Sequence, residues 1–220
     1  MKKLNMIRKS VILMLCLCML GLVACGEKEQ QGTPEVKDEV AATTSSVIVN
    51  KDGSISCSII EDFVENYYDE EGLKTMIETS ISEYKAENVT AKVDLKSCKA
   101  KDGVVKVLME YGDYQTYAGF NQEEFFAGTI QAANMAGFDL NVSLRAVSDK
   151  SGNTTISKPE LLGMGDNHIV ILGSSGQQEA EQIRVDCFDE ILYVGDSVAA
   201  VGKKSADVTL SEGYKIIVFK

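Results

Sequence analysis

The chain has 220 residues, with 33 acids against 22 Lys and Arg and a formal charge of −11. Binding nucleic acid requires phosphates to be neutralised by Lys and Arg, so this balance excludes it as a partner. The length and a 45% apolar composition allow one domain with a substantial core, or two small ones.

The N-terminus carries Lys2, Lys3, Arg8 and Lys9 with no acid, then an uninterrupted apolar run from Val11 to Leu20, then Gly21-Leu22-Val23-Ala24-Cys25. A basic start, a short apolar stretch and small residues at its end make up a secretory signal. Val11 to Val23 is thirteen residues, short of the roughly 20 needed to cross about 30 Å of hydrocarbon. Leu22-Val23-Ala24-Cys25 resembles the lipobox of bacterial lipoproteins. The resemblance implies a diacylglycerol-derived thioether on Cys25, cleavage between Ala24 and Cys25, and fatty acyl chains such as palmitate at the new N-terminus. One acyl chain holds a protein only marginally, so two or three on a single residue are needed for stable anchoring.

The expectations that follow are a signal peptide over 1–24, lipid attachment at Cys25, and a lipid-anchored place on the extracytoplasmic face of the cell membrane. The leader removes four bases and no acid, which takes the formal side-chain charge to −15. Anionic head groups repel such a surface, so the covalent lipid must do the anchoring. Residues 25–46 are rich in Glu, Gln, Lys, Thr and Ser with little to bury, and read as a disordered tether. Some 20 residues reach at most about 65 Å when stretched.

Order is expected from Val47. Val47-Ile48-Val49 and Ile55–Ile60 flank Asn50-Lys51-Asp52-Gly53, a hairpin turn signal. Asp69 is placed to cap a helix whose Leu73, Met76, Ile77, Ile81 and Tyr84 share a face. Val89, Ala91, Val93 and Leu95 alternate with polar residues as a half-buried strand. Lys101-Asp102-Gly103 then turns the chain into Val104–Tyr111. The spacing predicts a second helix opening at Asn121, with Glu124 completing a capping box and Phe125, Phe126, Ile130, Ala133 and Ala136 facing inward until Gly137. Leu140–Ala146 alternates as a strand, a loop passes through Ser151-Gly152-Asn153, and strands are expected at His168–Leu172, Gln182–Cys187, Glu190–Val194, Asp207–Leu210 and Tyr214–Phe219. The fold class expected is α+β, two helices packed on an antiparallel sheet in the order ββαββα over 47–147, followed by a small all-β part over 148–220. The acidic, Tyr-rich stretch Glu61-Asp62-Phe63 to Tyr67-Tyr68-Asp69-Glu70-Glu71 after an extended pair is similar to uncharacterised bacterial surface lipoproteins, a resemblance that implies location and fold type and no activity.

Several residues invite chemistry. Gly195-Asp196-Ser197 resembles the GDS block of SGNH hydrolases, whose serine is the nucleophile. That block belongs near the N-terminus with its histidine downstream, whereas here the single histidine, His168, precedes it. A serine needs an adjacent base, and the stretch reads as strand, tight turn and strand. His168 alone makes no histidine-based metal site, and Gly163 and Gly165 lack the third glycine of a dinucleotide loop. Glu61, Asp62, Glu65, Asp69, Glu70 and Glu71 have the oxygens a hard cation takes, but also suit a solvated helix start through the helix dipole. Tyr111, Tyr114, Tyr117 and Phe120 read as core rather than as a stacking platform. Cys57 and Cys187 read as small buried hydrophobes and Cys98 as a residue just past a strand; a disulfide among the three is left open.

No catalytic, cofactor or metal residue is assigned. The chain is expected to be a non-enzymatic ligand- or protein-binding module held off the membrane. The alternatives are a small solute-binding lobe and an extracytoplasmic hydrolase. A hydrolase would need two carboxylates about 5–9 Å apart across a cleft.

Overall fold

The computed structural model describes residues 44–149, 151–174 and 181–220; the leader, Cys25 and nearly all of the expected tether lie outside the described residues. The described residues form a mixed α/β arrangement of four helices and two sheets, and strands predominate.

The first hairpin pairs β1 (Ser46–Val49) with β2 (Ile55–Asp62), Val47 opposite Cys57 and Val49 opposite Ile55. Helix α1 (Glu70–Glu87) starts where Asp69 accepts a hydrogen bond from the Gly72 amide at 2.8 Å, and it buries Leu73, Ile77 and Ile81. β3 (Val93–Lys101) and β4 (Val104–Tyr111) follow, joined by Asp102 and Gly103 at φ +53° and +78°. Those left-handed values are what a two-residue hairpin turn requires. Val105, Val107, Met109 and Tyr111 all point into the core.

Two expectations fail in this half. The strand expected from Val89 begins only at Val93, because Asn88 caps α1 and Ala91 folds back onto it, leaving Val89 88% exposed. The helix expected from Asn121 does not form. Asp113 caps an earlier helix, α2 (Tyr114–Asn121), by accepting from the Thr116 amide at 2.7 Å, and Gln122 ends it at φ +54°. The chain then extends as β5 (Phe125–Thr129), with Phe125 and Phe126 buried in different apolar clusters. Thr129 caps the short α3 (Ile130–Met135). Adjacent phenylalanines diverge by only about 100° on a helix but point to opposite faces of a strand, and the need to fill two clusters selects the strand.

Next come β6 (Leu144–Ala146), β7 (Thr155–Ile156) and α4 (Lys158–Gly163). The strand expected over 140–146 shrinks to β6, although Leu140 is fully buried. The rest is β8 (His168–Ser174), β9 (Glu181–Cys187), β10 (Ile191–Val194), β11 (Val198–Ala200), β12 (Ser205–Leu210) and β13 (Gly213–Phe219).

One sheet runs β11-β12-β9-β1-β2-β4-β3 and the other β5-β8-β13-β10-β6-β7. The pairing of β1 with β9 is parallel, Val47 opposite Val185 and Val49 opposite Cys187. The larger cluster lies between the sheets and takes in the inner face of α1; a second fills the far side of the smaller sheet beneath α3 and α4. The smaller sheet is therefore apolar on both faces. In β13, Ile217 and Phe219 enter the first cluster while Ile216 and Val218 enter the second. Pairs β1–β9, β5–β8 and β6–β10 join residues on either side of 147/148, so the boundary expected there falls inside both sheets.

Candidate functional site

The aromatic run after β4 is core. Tyr111 and Tyr117 are 1% and 3% exposed, with ring centroids 5.1 Å apart and edge-on, and Phe120 and Phe125 close the group at 5.8 Å from Tyr111 and 4.6 Å from Tyr117. Burial drives the Tyr111 phenol far above its ordinary range. Tyr114 packs on Phe126 at 4.7 Å and links the two clusters.

The acidic run disperses. Asp69 is spent on the α1 cap, and Glu70 Oε2 accepts from the Ala100 amide on the edge strand β3 at 2.6 Å. Among the described residues no three His, Cys, Asp or Glu side chains are grouped to hold a metal ion.

Asp196 and Ser197 form the exposed turn between β10 and β11, with Ser197 at φ +61°. The backbone ties this turn down. The Gly195 amide donates to Ile216 at 2.8 Å, Thr209 donates to the Ser197 carbonyl at 2.9 Å, and Arg145 donates to the carbonyls of Gly195 and Val198 at 3.3 and 3.4 Å. His168 sits at the other end of β13, opposite Phe219. Three residues of strand, about 10 Å, separate Gly195's partner from that of His168, so serine and histidine are not brought together. The His168 ring is stacked on Phe219 (5.3 Å) and edge-on to Phe188 (4.8 Å), and its buried Nδ1 has no hydrogen-bond partner among the described residues.

Among the described residues Cys57, Cys98 and Cys187 form no disulfide. Cys57 and Cys187 flank β1 on opposite sides and two residues apart in register. That offset puts them about 12 Å apart, beyond the reach of a disulfide. Burial pushes the Cys187 thiol up to about 12. Cys98 lies within β3 rather than past a strand.

One cleft among the described residues involves none of these side chains. This cleft, of about 500 Å³, is lined by Ala146, Val147 and Ser148 after β6, Met164 after α4, Glu190–Tyr193 at the start of β10, and Ala200–Lys203 after β11. That volume lies within the range of small-molecule sites. A β-bulge shapes its floor. Ile191 pairs with Phe219 and Tyr193 with Val218, which leaves Leu192 as the extra residue. Its carbonyl accepts instead from the Val147 amide at 2.9 Å. The bulge turns Tyr193 to the side of the second cluster, where Met164 also packs. Bulges of this kind re-aim side chains next to functional sites.

Two charged residues line the cleft, Glu190 and Lys203. Glu190 accepts from Lys220 Nζ, which holds its carboxyl below the usual range, with the field of Lys203 a smaller contributor. Lys203 is exposed, and its ammonium makes no hydrogen bond or ion pair among the described residues. Its backbone holds the rim, the carbonyl accepting from the Ile191 amide at 2.7 Å. Of these residues, sequence reading placed Glu190 to Tyr193 only as a strand and passed over Lys203. The Ser157-Lys158-Pro159-Glu160 start of α4, where Glu160 Oε2 accepts from Ser157 at 2.9 Å (amide) and 2.6 Å (hydroxyl), was a local signal that could have placed Met164 after a helix.

No family model, curated protein or solved structure matches the chain.

Proposed function

We propose that the chain is a lipid-anchored, extracytoplasmic binding module: Cys25 carries the anchor, and the cleft at Glu190–Tyr193 and Ala200–Lys203 takes a ligand. The anchoring reading is carried by one observation, the thirteen-residue apolar run that ends in Leu22-Val23-Ala24-Cys25 after a wholly basic start. The binding reading is supported by a cleft of ligand size, bulged at Leu192, whose lining mixes apolar side chains with Glu190 and Lys203. The acidity of the chain supports a small-molecule or protein ligand over nucleic acid.

Mass spectrometry of the N-terminal peptide of protein extracted from native membranes tests the anchor. The expected species begins at Cys25 and bears a thioether-linked diacylglycerol. Cys25→Ala is expected to leave the leader attached and to abolish lipid incorporation. A bare Cys25 thiol at a mature N-terminus, or a leader still joined in the unaltered protein, overturns the anchoring.

A further inference from the structure

The charge in the cleft is asymmetric, and that asymmetry selects a ligand chemistry. Glu190 is the only carboxylate among the lining residues, and Lys220, from outside the lining, already neutralises it. Lys203 is the only lining cation; among the described residues its ammonium makes no hydrogen bond or close ion pair, and it acts on Glu190 only as a weaker, longer-range charge. The remaining lining side chains are almost all apolar or aromatic: Val147, Met164, Leu192, Tyr193 and Val201. Val201, 51% exposed, stands beside Lys203 on the tight turn that the Val201 and Gly202 amides close onto the Ser205 carbonyl at 2.9 and 3.1 Å. An apolar side chain left in water next to an unpaired ammonium complements a ligand with an anionic head and an apolar body.

Resting on the cleft being the binding site, we propose that it takes a small amphipathic anion, an aryl or alkyl carboxylate whose head pairs with Lys203 and whose body lies along Leu192, Tyr193 and Val201. The site opposes the sign of the molecule as a whole. In a chain of net charge −11, long-range forces repel anions, so affinity has to come from contacts within a Debye length, about 8 Å at physiological salt. Lys203 supplies the charge at that range, and the apolar floor supplies the rest.

Three probes that share one apolar body separate the head-group chemistry from the cleft itself: 4-phenylbutyrate, 4-phenylbutanol and 4-phenylbutylamine. Each is titrated into the ¹⁵N-labelled full chain and followed by amide chemical shifts. The carboxylate is expected to bind two- to five-fold tighter than the alcohol, the range of a partly exposed ion pair, and the amine to bind weakest. Shifts should concentrate at 147–148, 191–193 and 200–203. Lys203→Gln should erase the carboxylate's advantage over the alcohol, and Lys203→Arg should keep it. If all three probes perturb the cleft equally, or the amine binds best, the anion assignment is overturned and the cleft remains a binding site. If none perturbs those amides, the assignment and the binding reading of the cleft are both overturned.

Discussion

Gly119 and His168 show how much individual positions are governed by what packs on them. In α2, a Cβ on Gly119 would lie 2.5 Å from the Tyr84 hydroxyl and 3.5 Å from its ring carbon. An interior helical Gly→Ala ordinarily gains up to about 1 kcal/mol, so the hydroxyl decides the sign. Gly119→Ala is expected to destabilise by about 1 kcal/mol or more alone, and to stabilise in a Tyr84→Phe background, where the nearest remaining contact is ordinary. Urea unfolding of the two single variants and the double variant checks this. At His168, the ring stacks well while Nδ1 is stranded. An unmade hydrogen bond at a buried polar atom costs about 1–3 kcal/mol. His168→Phe keeps the aromatic pairing without that atom and is expected to raise stability by about 1 kcal/mol, read from the same urea midpoints.

Among the elements, the loop after β6 depends on one carboxylate. Asp149 accepts from the amide and hydroxyl of Ser151 at 2.8 and 2.6 Å and from those of Thr154 at 2.8 and 2.7 Å. The Ser151 hydroxyl, then that of Thr154, holds the Asp149 carboxyl well below its ordinary range. Asp52 with Ser54, Glu160 with Ser157 and Glu190 with Lys220 are lowered in the same sense. A folded carboxyl that binds protons less readily than the unfolded one favours folding while ionised. That contribution is present above the ordinary carboxylate range near pH 4 and is lost as pH falls through the lowered folded values. Thermal melts should therefore show stability falling below about pH 4. Asp149→Asn should be less stable than the parent at pH 7, and the gap should narrow on acidification; a gap constant with pH would sink this account.

Elements read from the sequence succeeded where local spacing meets a single buried face. The β1–β2 hairpin, the Asp69 cap, the inner face of α1 and the alternation of Val105 to Tyr111 all follow from periodicity and turn chemistry. Misreadings came where the chain meets two faces. Phe125 and Phe126 fit helical spacing, yet each fills a different cluster. The strand expected at Glu190–Val194 does form, but the bulge at Leu192 sends Ile191 and Tyr193, two residues apart, to opposite faces, which alternation alone would not show. Neither outcome is available to a pattern that assumes one core.

Across the molecule, both sheets take strands from each of the two stretches, 47–147 and 148–220, that the order of expected elements sets apart. The parallel β1–β9 pair holds the middle of the larger sheet together, and β8 and β13 stand between β5 and β10 in the smaller. Separately produced fragments 1–147 and 148–220 are accordingly expected to show undispersed amide spectra, and to gain dispersion on mixing. A dispersed spectrum from either fragment alone would contradict the shared-sheet account.

The sequence by itself determined the acidity, the turns of the first two hairpins, α1 with its cap, and the later strands β8, β9, β10, β12 and β13, because each depends on neighbours within a turn or a pleat. Only the tertiary structure decided which strands pair across the chain, that the smaller sheet is buried on both faces, and that a bulge and a rim turn meet to form a cleft. Those features depend on contacts between residues up to some 140 positions apart, such as Val47 with Val185, and no local spacing encodes the partner strand against which a register is set.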